Sequence, residues 1–210
     1  MTLDDIKSKI ENKSARLAII GLGYVGLPVA AMFADAGFDV TGVEIQAERV
    51  VKINSGISPI EGKEPGLSEL LGREIQTGRL RATTDYAQLR DREIILIDVE
   101  TPVGDDNIPH YEALRSVIKS LGPMIGEGTL VIVESTISPG TINNLVLPLL
   151  EATSGKKLNE GFYLGACPER VMPGKLLRNL RTLSRVVGGM TPKTSETMIA
   201  LYKHIVHADL

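Results

Sequence analysis

Two patterns of apolar residues alternate along this chain. Short apolar runs fall at 17–20, 37–44, 80–83, 93–99, 129–133, 162–166 and 184–187. Their length and their Val and Ile content read as strands, and the near-continuous ones as parallel strands covered on both faces. Between them, helical spacing predicts helices over 46–54, 67–75, 85–90, 110–125, from 141 to 152, up to 180, and over 192–207. Thr2, with acids behind it and Leu3, Ile6 and Ile10 at helical spacing, starts an N-terminal amphipathic helix expected to pack on the outside. The stretch 57–66, punctuated by proline and glycine, reads as a surface loop serving a site or an interface. Alternating strand and helix predicts an α/β fold with a doubly wound, mostly parallel sheet over 16–210 and a helical extension over 1–15.

The first strand breaks into Gly21-Leu22-Gly23-Tyr24-Val25-Gly26 before a helical pattern resumes through Ala36. In a dinucleotide fingerprint, Gly21 makes the tight turn, Gly23 lets the backbone approach a pyrophosphate, and Gly26 lets the helix pack close to the strand. The free N–H groups of the helix's first turn then face the anion without a lysine. A bare three-glycine match is weak, but the second strand ends in Glu44, eighteen residues after Gly26. That is near the usual distance for the carboxylate that holds the adenosine ribose, and it points to NAD rather than NADP in a Rossmann-like domain. Arg49 is the counter-argument, and reads as a solvated helix residue brushing the adenine side.

Composition narrows the field. The chain has 210 residues, 43% hydrophobic and 23% charged, with net charge −3 and scattered basic residues, so no electrostatic footprint for nucleic acid or anionic membrane appears. No apolar run approaches the roughly twenty residues that cross a bilayer. The N-terminal stretch lacks a signal-peptide core, and a single cysteine, Cys167, forms no internal disulfide. These features point to the cytoplasm, with no nucleic-acid or membrane partner and no bound metal.

In doubly wound sheets the ligand sits beyond the carboxyl ends of the strands. Thr101-Pro102, Ser135-Thr136 and the segment 167–174 follow strands and become candidates beside Gly21, Gly23, Tyr24, Val25, Gly26 and Glu44. Thr101 and Thr136 suit a cofactor's riboses and ring, or equally the caps of helices.

Several motifs then occur together: Gly21 to Pro28; Ile60-Glu61-Gly62-Lys63-Glu64-Pro65-Gly66-Leu67; Gly78-Arg79-Leu80 with Ala82-Thr83-Thr84-Asp85; Thr101-Pro102; Glu134-Ser135-Thr136 with Pro139-Gly140-Thr141; and Cys167-Pro168-Glu169-Arg170-Val171-Met172-Pro173-Gly174. Over residues 16 to about 206 the set resembles the nucleotide-sugar 6-dehydrogenases, and its last motif with Arg185-Val186-Val187-Gly188-Gly189 most resembles their UDP-N-acetylmannosamine branch. The UDP-glucose branch carries a second glutamate where this chain has Pro173. The resemblance implies NAD as cofactor, a UDP-sugar as substrate, a homodimer or higher homo-oligomer, and oxidation of a sugar C6 alcohol to a carboxylate with two NAD. A cysteine captures the intermediate aldehyde, and Thr136 and Glu169 match the residues that position and activate the hydrolytic water. Arg170 and Val171 would lie beside the substrate; read without the family, Glu169 is a loop carboxylate paired with Arg170.

Cys167 does not match the family's nucleophile, which lies well downstream, and reads as a small semi-buried residue. Lys175, Arg178, Arg181 and Arg185 read as a solvated face, and His204 and His207 as surface helix positions. The resemblance also implies a central helix and a UDP-sugar-binding domain beyond Leu210, so the chain is expected to bind NAD without turning over alone. A non-catalytic NAD-binding module and a hydroxyacid dehydrogenase are the rival functions.

Overall fold

A computed structural model describes residues 1–62, 64–172 and 174–210. Seven strands, β1 (Arg16–Ile20), β2 (Asp39–Val43), β3 (Leu80–Thr83), β4 (Ile94–Ile97), β5 (Thr129–Val133), β6 (Phe162–Ala166) and β7 (Gly188–Gly189), form one sheet in the order β3-β2-β1-β4-β5-β6-β7. Every pairing is parallel except β6 with β7. The order reverses between β1 and β4, which opens a crevice beyond their carboxyl ends. All five residues of β5 and all four of β4 are buried, as strands sandwiched between helices must be.

Among the described residues eight α-helices flank the sheet: α1 (Leu3–Glu11), α2 (Gly26–Asp35), α3 (Ala47–Asn54), α4 (Leu67–Gln76), α5 (Glu112–Leu121), α6 (Leu147–Ser154), α7 (Leu176–Thr182) and α8 (Pro192–Tyr202). Two apolar cores result. One joins α1, α2, α4 and α8 to a sheet face through Phe33, Phe38, Leu71 and Tyr202; the other joins α5 and α6 to the opposite face through Ile97, Val133, Ile118 and Leu150. Among the described residues no helix is long and apolar enough to cross a membrane.

The fold expected from the sequence is therefore present, with several local corrections. The segment 184–187 is not a strand: Arg185 turns inward, Val186 points to solvent, and pairing begins only at Gly188 and Gly189, opposite Ala166 and Gly165. Glycine is needed at both edges, because a Cβ on Gly165 would meet Met198 and one on Gly189 would meet Thr194. The last helix stops at Tyr202 rather than 207, and the helix expected over 110–125 is α5 followed by a 3-10 turn at Gly122–Met124, where Pro123 supplies no backbone donor. Tyr86–Leu89 is likewise a 3-10 turn, and Ile142–Val146 is a π turn leading into α6.

The N-terminal helix is not an outer appendage. Its Thr2 capping box is formed, but Leu3, Ile6 and Ile10 are buried in the same core as α8, and Lys193 bonds Asp4 at 2.6 Å.

Candidate functional site

Hydrogen bonds that continue the sheet past the strand ends line up the site residues in a row. Gly21 N–H donates to Val43 (2.8 Å), Glu44 to Thr83 (3.0 Å), Asp98 to Ile20 (2.8 Å), Glu134 to Ile97 (2.9 Å) and Cys167 to Val133 (3.0 Å). One residue from each of five neighbouring strand ends therefore stands on the same edge. Two adjoining clefts, of about 600 and 390 Å³, run along it, and Gly23, Tyr24, Asp98, Val99 and Glu100 line both.

The larger cleft holds the predicted fingerprint. Gly21 has φ +95°, and a Cβ there would collide with the Asp98 carbonyl; one on Gly26 would collide with the Gly21 carbonyl. Gly23 faces open space, with nothing within 4 Å of its built Cβ. Two glycines thus let backbones pack together, while the third leaves room for an outside group, which is the division a diphosphate cradle requires. Glu44 is buried at the far side and accepts from the Gln46 N–H at 3.0 Å.

Arg49 is not the solvated residue expected. Its side chain is about three-quarters covered, its Nε lies 3.6 Å from Glu44 and it donates to the Leu22 carbonyl at 2.9 Å. The guanidinium orients Glu44 and braces the turn, so it belongs to the wall of the larger cleft.

The second cleft brings Thr101, Thr136 and Glu169 together around Tyr24 and Val25. Thr101 caps no helix: its hydroxyl donates to the Thr136 carbonyl at 2.6 Å and joins the loops after β4 and β5. Ser135 makes the same junction lower down, accepting from the Val99 N–H (3.0 Å) and donating to the Val99 carbonyl (2.8 Å). Thr136 is left exposed at the rim, and Pro102 is exposed beside Thr101.

Glu169 is not paired with Arg170. It accepts from the Val171 N–H at 2.5 Å, while Arg170 donates to the Ser184 carbonyl at 2.8 Å and pins the loop elsewhere. Burial pushes the Glu169 carboxyl above the ordinary glutamate range, partly offset by that N–H and by the charge of Arg185. A carboxyl so poised is suited to exchanging a proton with a bound group. Pro173, where the UDP-glucose branch has its second glutamate, and Lys63 lie outside the described residues.

Beneath this cleft lies a buried polar cluster that sequence reasoning missed. Glu134 is 1% exposed and receives both Arg185 Nη1 (3.0 Å) and the Tyr202 hydroxyl (2.7 Å). The Arg185 guanidinium also lies 5.4 Å from the Tyr202 ring centre. Arg185 is therefore no part of a solvated face. Cys167 is fully rather than partly buried in the same cluster, and burial, then the charge of Glu134, pushes its thiol up to about 12. A thiol so protonated is a poor nucleophile. The signal available was Asp98, an acid directly after an unbroken apolar strand, and Glu134 in the same position one strand over.

Glu64, which sequence reasoning placed in a motif without a role, accepts from Tyr24 Oη, from the Gly174 N–H at 2.6 Å and from the Leu176 N–H at 3.0 Å. Burial and this carboxylate raise the Tyr24 hydroxyl to about 12. His204 is not on a helix; it packs edge-on against Phe38, 5.1 Å between ring centres, in the turn after α8.

A doubly wound sheet, a glycine cradle at its switch point and an acid at the end of β2 define a dinucleotide-binding domain of the Rossmann class. The NAD-binding domain of the UDP-glucose/GDP-mannose dehydrogenase family matches residues 15–206, and the chain belongs to that family. It is 38% identical over 191 residues to the UDP-N-acetyl-D-mannosamine dehydrogenase of Pyrococcus horikoshii, covering 91% of this chain and 45% of that protein. The NDP-N-acetyl-D-galactosaminuronic acid dehydrogenase of Methanosarcina mazei superposes with a TM-score of 0.91 at 32% identity, over 100% of this chain and 46% of that one. A ternary complex of GDP-mannose dehydrogenase from Pseudomonas aeruginosa gives 0.86 at 33% identity, over 92% and 45%. The chain thus spans about half the length of the relatives it matches.

Proposed function

We propose that this chain supplies the NAD half of a nucleotide-sugar 6-dehydrogenase acting on a UDP-N-acetylhexosamine, with UDP-N-acetylmannosamine as the first candidate. The observation that carries the reading is the single row at the strand ends, where the glycine cradle and Glu44 adjoin Thr136 and Glu169. Gly21, Gly23 and Gly26 would hold the diphosphate, with Tyr24 and Val25 at the first turn of α2; Glu44, oriented by Arg49, would accept the adenosine ribose hydroxyls. Thr101 and Pro102 would flank the nicotinamide side. When bound there, NAD supplies a hydride acceptor. Thr136 would orient a water at the rim, and Glu169 would take its proton. Arg170 and Val171 would fix the loop against the sugar. The substrate preference rests on the Pyrococcus horikoshii relative and on the motif at 168–174. UDP-N-acetylglucosamine and UDP-glucose are the alternative substrates, and a non-catalytic NAD-binding module the alternative class.

Calorimetry of the chain with NAD and NADP tests the cofactor half, with tighter binding of NAD expected and equal or tighter NADP overturning the assignment of Glu44. NADH absorbance tests the rest. The chain mixed with NAD and UDP-N-acetylmannosamine is expected to produce none, and steady NADH formation would show that the catalytic set is complete here. A panel of UDP-sugars with the longer protein tests the substrate, and faster turnover of UDP-glucose would overturn the preference.

A further inference from the structure

The cluster under the second cleft carries more carboxylate than its cations can balance. Asp98 Oδ2 and Glu134 Oε2 are both buried with no hydrogen-bond partner, and the two side chains line the same cleft, close enough for each carboxyl to act on the other. Arg185 is the cation of this cluster; its Nη1 and the Tyr202 hydroxyl both bond the opposite oxygen of Glu134, while its Nη2 is buried without a partner. One positive charge therefore meets two carboxyls, with Glu169 a third acid nearby and the Cys167 thiol held neutral. Two neighbouring buried oxygens, each able only to accept, repel; a single proton between them turns that contact into a short donor–acceptor pair.

We propose that Asp98 and Glu134 share one proton, and that this proton lets a diphosphate settle on the glycine turn directly above. Asp98 is placed for that effect. Its Cβ would lie 3.0 Å from a Cβ on Gly26, and its backbone carbonyl seals the floor beneath Gly21. An ionised Asp98 would set a bare negative charge under the diphosphate, in a cleft that Glu100, Glu134 and Glu169 already line. With the proton in place, Asp98 is neutral, and the ion pair of Glu134 with Arg185 leaves the floor without net charge. Burial and then the charge of Glu134 hold the Asp98 proton well above the ordinary range, opposed by Arg185 and supported by Glu169. The proton is therefore held to a higher pH than an ordinary carboxyl keeps it, and is lost as pH rises further. The effect on binding rests on the NAD reading above; the pair itself does not.

Infrared difference spectroscopy of the ligand-free chain reads the proton directly. At neutral pH a protonated-carboxyl carbonyl band that shifts in deuterium oxide is expected. It should vanish in Asp98→Asn and in Glu134→Gln, where Asp98 ionises beside the released Arg185, and persist in Glu169→Gln. Titrating the wild-type band with pH needs no variant, and its absence at neutral pH overturns the pair. Calorimetry with ADP-ribose, which has the diphosphate but no pyridinium charge, reads the consequence. Wild-type affinity should fall roughly a hundredfold as the band is lost with rising pH, the scale of one added like charge about 6 Å away at an effective dielectric of about 20. Asp98→Asn should show no such fall, and parallel profiles for the two proteins would overturn the electrostatic role. A band with no ADP-ribose binding at any pH would support the pair and overturn the cofactor reading.

Discussion

Tyr24 and Glu64, forty residues apart, are joined through the tyrosine hydroxyl, and the same carboxylate takes the backbone N–H groups of Gly174 and Leu176. One side chain from the loop after α3 thus ties the cofactor turn to the segment that carries Glu169. Glu64→Ala leaves those donors without their acceptor, which should cost about 1 to 2 kcal/mol at a half-buried site. The melting temperature should fall by roughly 3 to 6 °C, and Tyr24→Phe by less. An unchanged thermogram for Glu64→Ala would show that the tie contributes nothing.

Gly23 and Gly26 should separate cofactor binding from packing. A methyl on Gly23 meets nothing in the protein, so Gly23→Ala should keep the wild-type melting temperature yet lose NAD binding by calorimetry. Gly26→Ala drives α2 off the turn and should cost about 1 to 3 kcal/mol as well as binding. Equal NAD affinity in Gly23→Ala and wild type would remove the diphosphate from this turn.

Glu44→Ala should weaken NAD roughly ten- to hundredfold, since charge-assisted hydrogen bonds are worth about 1.5 to 3 kcal/mol. Arg49→Ala should weaken it less, because the arginine acts by orienting Glu44 and bracing Leu22. If Arg49→Ala proves the more damaging of the two, Arg49 contacts the ligand itself.

The lone thiol should resist modification. With Cys167 fully buried and its pKa near 12, a colourimetric thiol reagent at pH 8 should label the folded chain no faster than it unfolds. Prompt labelling of the native protein would contradict its burial, and loss of activity in a folded Cys167→Ser form of the longer protein would make it the nucleophile.

Glu93 contributes to how the domain responds to acid. It is buried and receives Lys9 at 2.7 Å, the Arg16 N–H at 2.6 Å and the Arg16 guanidinium at 3.1 Å. Burial works to raise its carboxyl, but the Arg16 and Lys9 bonds outweigh it and hold the pKa below the ordinary range. A depressed folded value means stability that is present above the unfolded glutamate pKa of about 4.3 and lost as pH falls through the folded one. Glu93→Gln should cost about 2 kcal/mol at pH 7 and flatten the acid limb of the stability curve in urea titrations. An acid limb identical to wild type would assign that limb to other carboxyls.

The doubly wound, mostly parallel sheet and the glycine turn were legible because each rests on a local pattern. Unbroken apolar runs marked β1, β4 and β5, and the spacing from Gly21 to Glu44 picked out two residues that line one cleft. What escaped depended on partners distant in sequence. Arg185 sits in a run that reads as strand among basic residues, and only the fold brings it to Glu134, fifty-one residues earlier. Arg49 looked solvated because its acceptor, the Leu22 carbonyl, is a backbone group that no side-chain pattern reports. Helix ends erred where the chain tightens into 3-10 or π turns, whose spacing over four or five residues cannot be told from α.

The clasp between α1 and α8 orders events during synthesis. Leu3, Ile6 and Ile10 are synthesised well before the helix they pack against, which comes roughly 180 residues later in the chain. At translation rates of about 5 to 20 residues per second the first helix waits on the order of ten seconds or more for its partner. During that interval the apolar stripe of α1 is uncovered, a surface for chaperones to cover on the nascent chain.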